Sequence, residues 1–126
     1  MVKFREKIIE GIHLVLGKDK ESNEELMKKF EGKKNTIIHT VTPGSPFCVI
    51  KSPLNPTDKD LSLSGSVCLG YSQDWRDNKA SSKVDIFTGK DVYKLENMPM
   101  GTWGVKKKKT ILIKKEDVLN VKKELK

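Results

Sequence analysis

The densest chemistry in this chain is a cluster of cations. Residues 105 to 126 carry nine lysines, among them the unbroken run Lys106, Lys107, Lys108 and Lys109, against Glu116, Asp117 and Glu124, a local +6 out of a formal net charge of +8. A single-sign cluster of that size concentrates polyanions and is the footprint of a nucleic-acid binder; the blander reading is a lysine-rich surface that aids solubility. Only Arg5 and Arg76 among the 25 basic residues carry the planar fork suited to bidentate contact with guanine. Lysine on phosphate acts as a point charge, which favours backbone contact over base reading and a steep salt dependence. Trp103, flanked by Gly101-Thr102 and Gly104 and directly ahead of the lysine run, would offer an exposed ring for base stacking.

A second set of reactive groups lies around Thr42-Pro43-Gly44-Ser45-Pro46. Gly44 and Ser45 can present backbone and hydroxyl donors to a phosphate, as an anion-binding turn does. Ser45 or Cys48 with His39 as base would be the elements of a hydrolase, but no third orienting group stands at a recognisable spacing, and G-x-S-x-G and C-G-[SA]-C patterns are absent. Cys48 and Cys68 sit in apolar runs without a C-x-x-C partner, and with His13 and His39 as the only histidines a structural zinc site has poor support. They are expected to be reduced core residues, and no metal or cofactor is expected. Gly101-Thr102-Trp103-Gly104 is formally the G-x-x-G of a KH loop, but it precedes a strand rather than joining two helices. The Gly104 to Thr110 stretch lacks the register of a phosphate-binding Walker loop.

Those groups must be held by an ordered fold. Leu, Ile, Val and Phe number 34 of the 126 residues, enough for one core, and the length fits a single domain over 1–126 that folds without disulfides or metal. No apolar run reaches the roughly 20 residues that cross a bilayer, and the Met1-Val2-Lys3-Phe4 start lacks the apolar stretch of a signal peptide, so a cytoplasmic location away from membranes is expected.

Ile12, Leu14 and Leu16 alternate as a strand does, with a helix over 3–10 left open. Ser22-Asn23-Glu24-Glu25 reads as a capping box ahead of a helix bearing Leu26, Met27 and Phe30, stopped by Gly32. Strands are expected over 36–41 and 47–51, with a turn between them and a flexible stretch at 52–60. A helix over 60–75 would pack closely on a sheet through its serines and glycines. Further strands are expected over 82–87, 90–95, 102–105 and 110–113, the last two forming a C-terminal hairpin around the lysine run. A final helix begins at Glu116-Asp117 and carries Val118, Val121 and Leu125 on one side. The sum is an α+β domain with a mixed or mostly antiparallel sheet and about three helices.

The ordered series of segments resembles NFACT-R, the RNA-binding domain of the NFACT family, over roughly residues 12 to 114. The matching pieces are Gly17-Lys18-Asp19 followed by Asn23, then Ile37-Ile38-His39-Thr40 and Pro43-Gly44-Ser45 running to Ile50-Lys51. Tyr71-Ser72-Gln73-Asp74-Trp75, Val84 to Thr88, Val92-Tyr93-Lys94, Gly101 to Val105 and Thr110 to Ile113 complete it. The middle helix departs from the family pattern, with serine and glycine where alanine is usual. The resemblance implies a stand-alone RNA-binding module whose larger relatives bind the large ribosomal subunit and tRNA during quality control of stalled nascent chains, and whose shorter ones act with RNA-modifying enzymes on tRNA.

The expected function is therefore a grip on tRNA or ribosomal RNA through phosphate contacts, with the ribosome or a modifying enzyme as further partners. The residues expected to carry it are His39, Gly44, Ser45 and Lys51 around the turn, Lys94 on the following strand, and Trp103 with Lys106 to Lys109 on the hairpin. The alternative is an adaptor docking its basic face on an acidic RNA-processing enzyme.

Overall fold

The computed structural model describes residues 2–125. Strands β1 (Arg5–Ile9) and β2 (Ile12–Leu16) form a hairpin whose two turn residues, Glu10 and Gly11, both have positive φ. This is the turn whose twist matches that of paired strands, so the helix left open over 3–10 is not formed.

The first helix, α1 (Lys20–Phe30), starts three residues earlier than its serine suggests. The Asp19 carboxylate accepts from the Ser22 amide at 2.8 Å while the Ser22 hydroxyl accepts from the Asp19 amide at 3.0 Å. Both spacings satisfy the capping pattern; the carboxylate takes the cap and Ser22 becomes its reciprocal partner.

Strands β3 (Thr36–Thr40) and β4 (Cys48–Ser52) pair antiparallel across the proline-glycine-serine turn. The helix expected over 60–75 is two helices, α2 (Asp58–Gly70), capped by Thr57, and α3 (Gln73–Asn78), capped by the Ser72 hydroxyl. Its small residues do serve close packing, since a Cβ at Gly65 would fall 2.7 Å from Ile113 Cδ1 and 3.2 Å from Val84 Cγ2.

Strand β5 (Ser82–Thr88) leads through a 3-10 turn into β6 (Val92–Tyr93), which pairs with β7 (Gly104–Val105); β8 (Lys109–Ile113) returns to pair with β5, and α4 (Lys115–Glu124) closes the chain. The expected C-terminal hairpin is thus absent: β7 and β8 belong to different sheets. Val105 opposes Val92 across the small sheet, and the Lys106 amide continues that ladder to the Asp91 carbonyl at 2.7 Å.

The main sheet has the order β1-β2-β4-β3-β5-β8, every neighbouring pair antiparallel. Successive side chains alternate between its faces. Leu14, Ile38, Cys48, Ile50, Val84 and Ile86 pack against α2, α3 and α4 on one side. Val15, Ile37, Val49 and Phe87 pack against Leu26, Met27 and Phe30 of α1, with Trp103, on the other. Because both faces are covered, burial along β3 is nearly continuous rather than alternating, with Ile37 and Ile38 both fully buried on opposite faces. Cys48 and Cys68 are free and buried, as expected. Burial pushes the Cys68 thiol up to about 12 and the Cys48 thiol well above its ordinary value. Among the described residues no helix is long and apolar enough to cross a membrane.

Ser64 of α2 is fully buried, and its hydroxyl is without a hydrogen-bond partner among the described residues. Ser64→Ala removes that desolvated group and favours the helix, so stability should rise by about 1 kcal/mol. Calorimetric unfolding should show a higher Tm; a fall would mean the hydroxyl is satisfied.

Candidate functional site

Beside α1 the α1-facing side of the main sheet is left partly open, forming a cleft of about 540 Å³ bounded by the start of β1, the Gly17 to Asn23 segment, the Pro43 to Phe47 turn and residues 100–105. Gly17 and Asn23 set its floor. Asn23 Oδ1 accepts from the Phe47 amide at 3.0 Å, and the Gly17 amide donates to the Phe47 carbonyl at 3.1 Å. A Cβ at Gly17 would lie 1.9 Å from Asn23 Oδ1, which accounts for a glycine followed by an asparagine at this spacing.

The far wall hangs on one carboxylate. Glu24 Oε1 accepts from Lys94 Nζ at 2.8 Å, the Gly101 amide at 2.8 Å and the Trp103 indole at 3.2 Å. Lys94 also donates to the carbonyls of Pro99 (2.6 Å) and Thr102 (2.8 Å). Burial pushes the Glu24 carboxyl up, but the Lys94 hydrogen bond, the Gly101 amide, the Lys94 charge and the indole outweigh it and hold it below its ordinary range. Two expectations change here. The three donors of Lys94 are consumed inside the protein, so it is a brace, and Trp103 is a 9% exposed residue packed in the core rather than offered to bases.

His39, Gly44 and Ser45 do line the cleft. His39 Nδ1 lies 2.8 Å from the Thr40 carbonyl, and its ring packs on Phe47 with centroids 4.6 Å apart. Burial lowers its pKa, only partly opposed by the Thr40 carbonyl, Asp85 and the Ser45 backbone, so the imidazole is neutral near pH 7. The Ser45 hydroxyl accepts from the Thr40 amide at 3.1 Å and donates to the Pro46 carbonyl at 3.0 Å. It is turned inward as a structural bond of the turn. Cys48 points to the opposite face of the sheet from His39, among the α2-side core residues, so neither nucleophile pairs with the histidine. Lys51 is exposed but stands at the far end of β4 from the turn, where its carbonyl accepts from Asn35.

The cations divide between two clefts. Arg5, Lys18, Lys20 and Arg76 line the first, and among the described residues none of these four makes an ion pair. The two acids on its lining are already engaged: Asp19 caps α1, and Asp85 accepts from Thr110 at 2.6 Å and Lys108 at 3.2 Å. Lys107, Lys108 and Lys109, with Lys34, line a second cleft beyond Phe87, which borders both. The lysine run is therefore not framed by the proline-glycine-serine turn. It is joined to the turn's cleft through the Lys108–Asp85 pair.

The sequence marks Arg5 and Arg76 as the only planar cations and Tyr71 as a core residue, and places neither these three nor Glu24 in the site. The scarcity of arginine was the available signal for the first two. Glu24 stands among polar neighbours on a helix, with no pattern to mark it as buried.

The family model for the NFACT protein RNA-binding domain matches residues 1–107. An archaeal Rqc2 homologue from Methanocaldococcus jannaschii is 31% identical over 75 residues, 59% of this chain and 11% of that protein. A solved structure, the C-terminal part of the fibronectin/fibrinogen-binding protein from Streptococcus suis, shares the fold with a TM-score of 0.80 at 19% identity, over 95% of this chain and 49% of that one. The chain thus spans about half or less of the relatives it matches.

Proposed function

The chain belongs to the family of NFACT protein RNA-binding domains, and from that premise we propose that it holds a structured RNA, tRNA or ribosomal RNA, by its phosphate backbone, in the setting of ribosome quality control. The observation that carries this reading is the pair of adjoining cationic clefts. In the first, Arg5, Lys18, Lys20 and Arg76 are unpaired among the described residues while the neighbouring acids are spent on internal bonds. In the second, Lys34, Lys107 and Lys109 line a notch beside the start of β8. A backbone passing over Phe87 would meet cations on both sides. Lys94 and Lys108 serve as internal partners of Glu24 and Asp85 and are not counted among the contacts.

The test is a set of gel shifts with tRNA and with rRNA fragments across a range of salt. Replacing Lys34, Lys107 and Lys109 with glutamine should weaken binding and flatten the log–log salt slope by about 2 to 3 if each neutralises one phosphate. An unchanged slope removes the second cleft from the interface. No binding by the unaltered chain even at low salt would defeat the RNA reading and turn attention to an acidic protein partner.

A further inference from the structure

Resting on the RNA reading above, we propose that the first cleft receives one unpaired nucleotide, its base stacked on the Arg5 guanidinium and its phosphate held by Arg76. Arg5 and Arg76 are the only arginines in the chain, and they lie far apart in sequence. The fold brings both to the same cleft, and both are anchored on one residue. The Arg5 guanidinium carbon lies 4.7 Å from the Tyr71 ring centroid, and Arg76 donates from Nη1 to the Tyr71 carbonyl at 3.2 Å and from Nη2 to Gln73 Oε1 at 2.9 Å.

A guanidinium lying over an aromatic ring leaves its other face free, and a planar cation of that kind stacks on a base as readily as an aromatic side chain does. Arg76 spends one donor of each Nη on the Tyr71 carbonyl and Gln73, which steadies the group and leaves three of its five N–H donors, a planar set better suited to phosphate oxygens than a lysine. Space and lining agree. About 540 Å³ walled by Phe47, Phe87 and Trp103 with charge among the lining residues falls in the size range of small-ligand sites, whereas a base inside a duplex is stacked on both sides and cannot enter. The second cleft offers ammonium groups, which follow a backbone without demanding an extruded base. The two clefts would then divide the work, one taking an exposed nucleotide and the other the adjacent backbone.

The experiment compares binding of the full chain to a perfectly paired RNA duplex and to the same duplex carrying one bulged nucleotide, at fixed salt. The bulged RNA should bind roughly tenfold more tightly, the magnitude of one base stack. Arg5→Lys with Arg76→Lys keeps the charge and removes both planar groups, so the preference should collapse towards unity while duplex affinity is retained. Lys107→Gln with Lys109→Gln should weaken both RNAs by the same factor and leave the preference intact. Circular dichroism of each variant checks folding, and a photoreactive nucleotide at the bulge should crosslink to peptides containing Arg5, Tyr71 or Arg76. Equal affinity for the two RNAs, or a preference that survives Arg5→Lys with Arg76→Lys, overturns the nucleotide site and leaves the RNA reading standing. Failure to bind either RNA at low salt overturns the RNA reading itself.

Discussion

Glu24→Ala is expected to cost about 3–5 kcal/mol of stability, the usual consequence of removing one partner from a buried ion pair. The Glu24 side chain is 8% exposed and that of Lys94 22%, so neither is rescued well by water. A single oxygen of Glu24 holds Lys94, the Gly101 amide and the Trp103 indole, and alanine leaves all three donors facing an apolar gap. The 94–103 segment then loses its attachment to α1, and the wall of the first cleft goes with it. Chemical denaturation should read the loss, and Trp103 fluorescence should shift towards that of a hydrated indole. Glu24→Gln keeps an acceptor without the charge and should fall between the two.

The same contact sets an acid response. Since the folded protein holds the Glu24 carboxyl below its ordinary value of 4.5, the group binds protons more readily when unfolded. Its contribution is therefore complete above about pH 4.5 and is lost as pH falls through the lower folded value. Unfolding free energies measured down through that range should decline less steeply in Glu24→Gln. Identical slopes would mean the carboxylate is not the group responsible.

Gly17→Ala is expected to cost about 2–4 kcal/mol, from overpacking together with a lost hydrogen bond. The methyl group would meet Asn23 Oδ1 at 1.9 Å, and the asparagine cannot retreat without abandoning the Phe47 amide. If that collision is the cause, Asn23→Ala should make the glycine substitution far less harmful, so the two changes combine to much less than their sum. Simple additivity would place the damage in the backbone of residue 17 instead. RNA affinity should fall alongside stability, because Phe47 and the turn beside it form the cleft floor.

Much of the architecture is legible in local pattern. Alternation marks β2, β-branched runs mark β3 and β4, and Gly32 ends α1. Where reading slipped, two local solutions competed. Asp19 and Ser22 are both good caps one helical turn apart, and the neighbour's geometry selected the first. The stretch from Leu61 to Trp75 keeps near-helical spacing across a break at Tyr71-Ser72, since Ser72 caps a second helix without disturbing the apolar period. The hairpin expected around the lysine run failed for a non-local reason: Val105 finds its partner in Val92, and Lys109 finds its own in Ile86.

The chain's order of elements, its family and its cationic excess follow from the sequence, because period, turn chemistry and charge are properties of neighbouring residues. Which cations face outward does not. Lys94 and Lys106 look alike as letters, yet the fold ties one, half-buried, to Glu24, 70 residues earlier, and leaves the other exposed. Arg5 and Arg76 are unremarkable until antiparallel pairing and the α2–α3 junction bring them onto one tyrosine. Contacts of that range depend on how whole sheets and helices close on each other, and no local spacing encodes them.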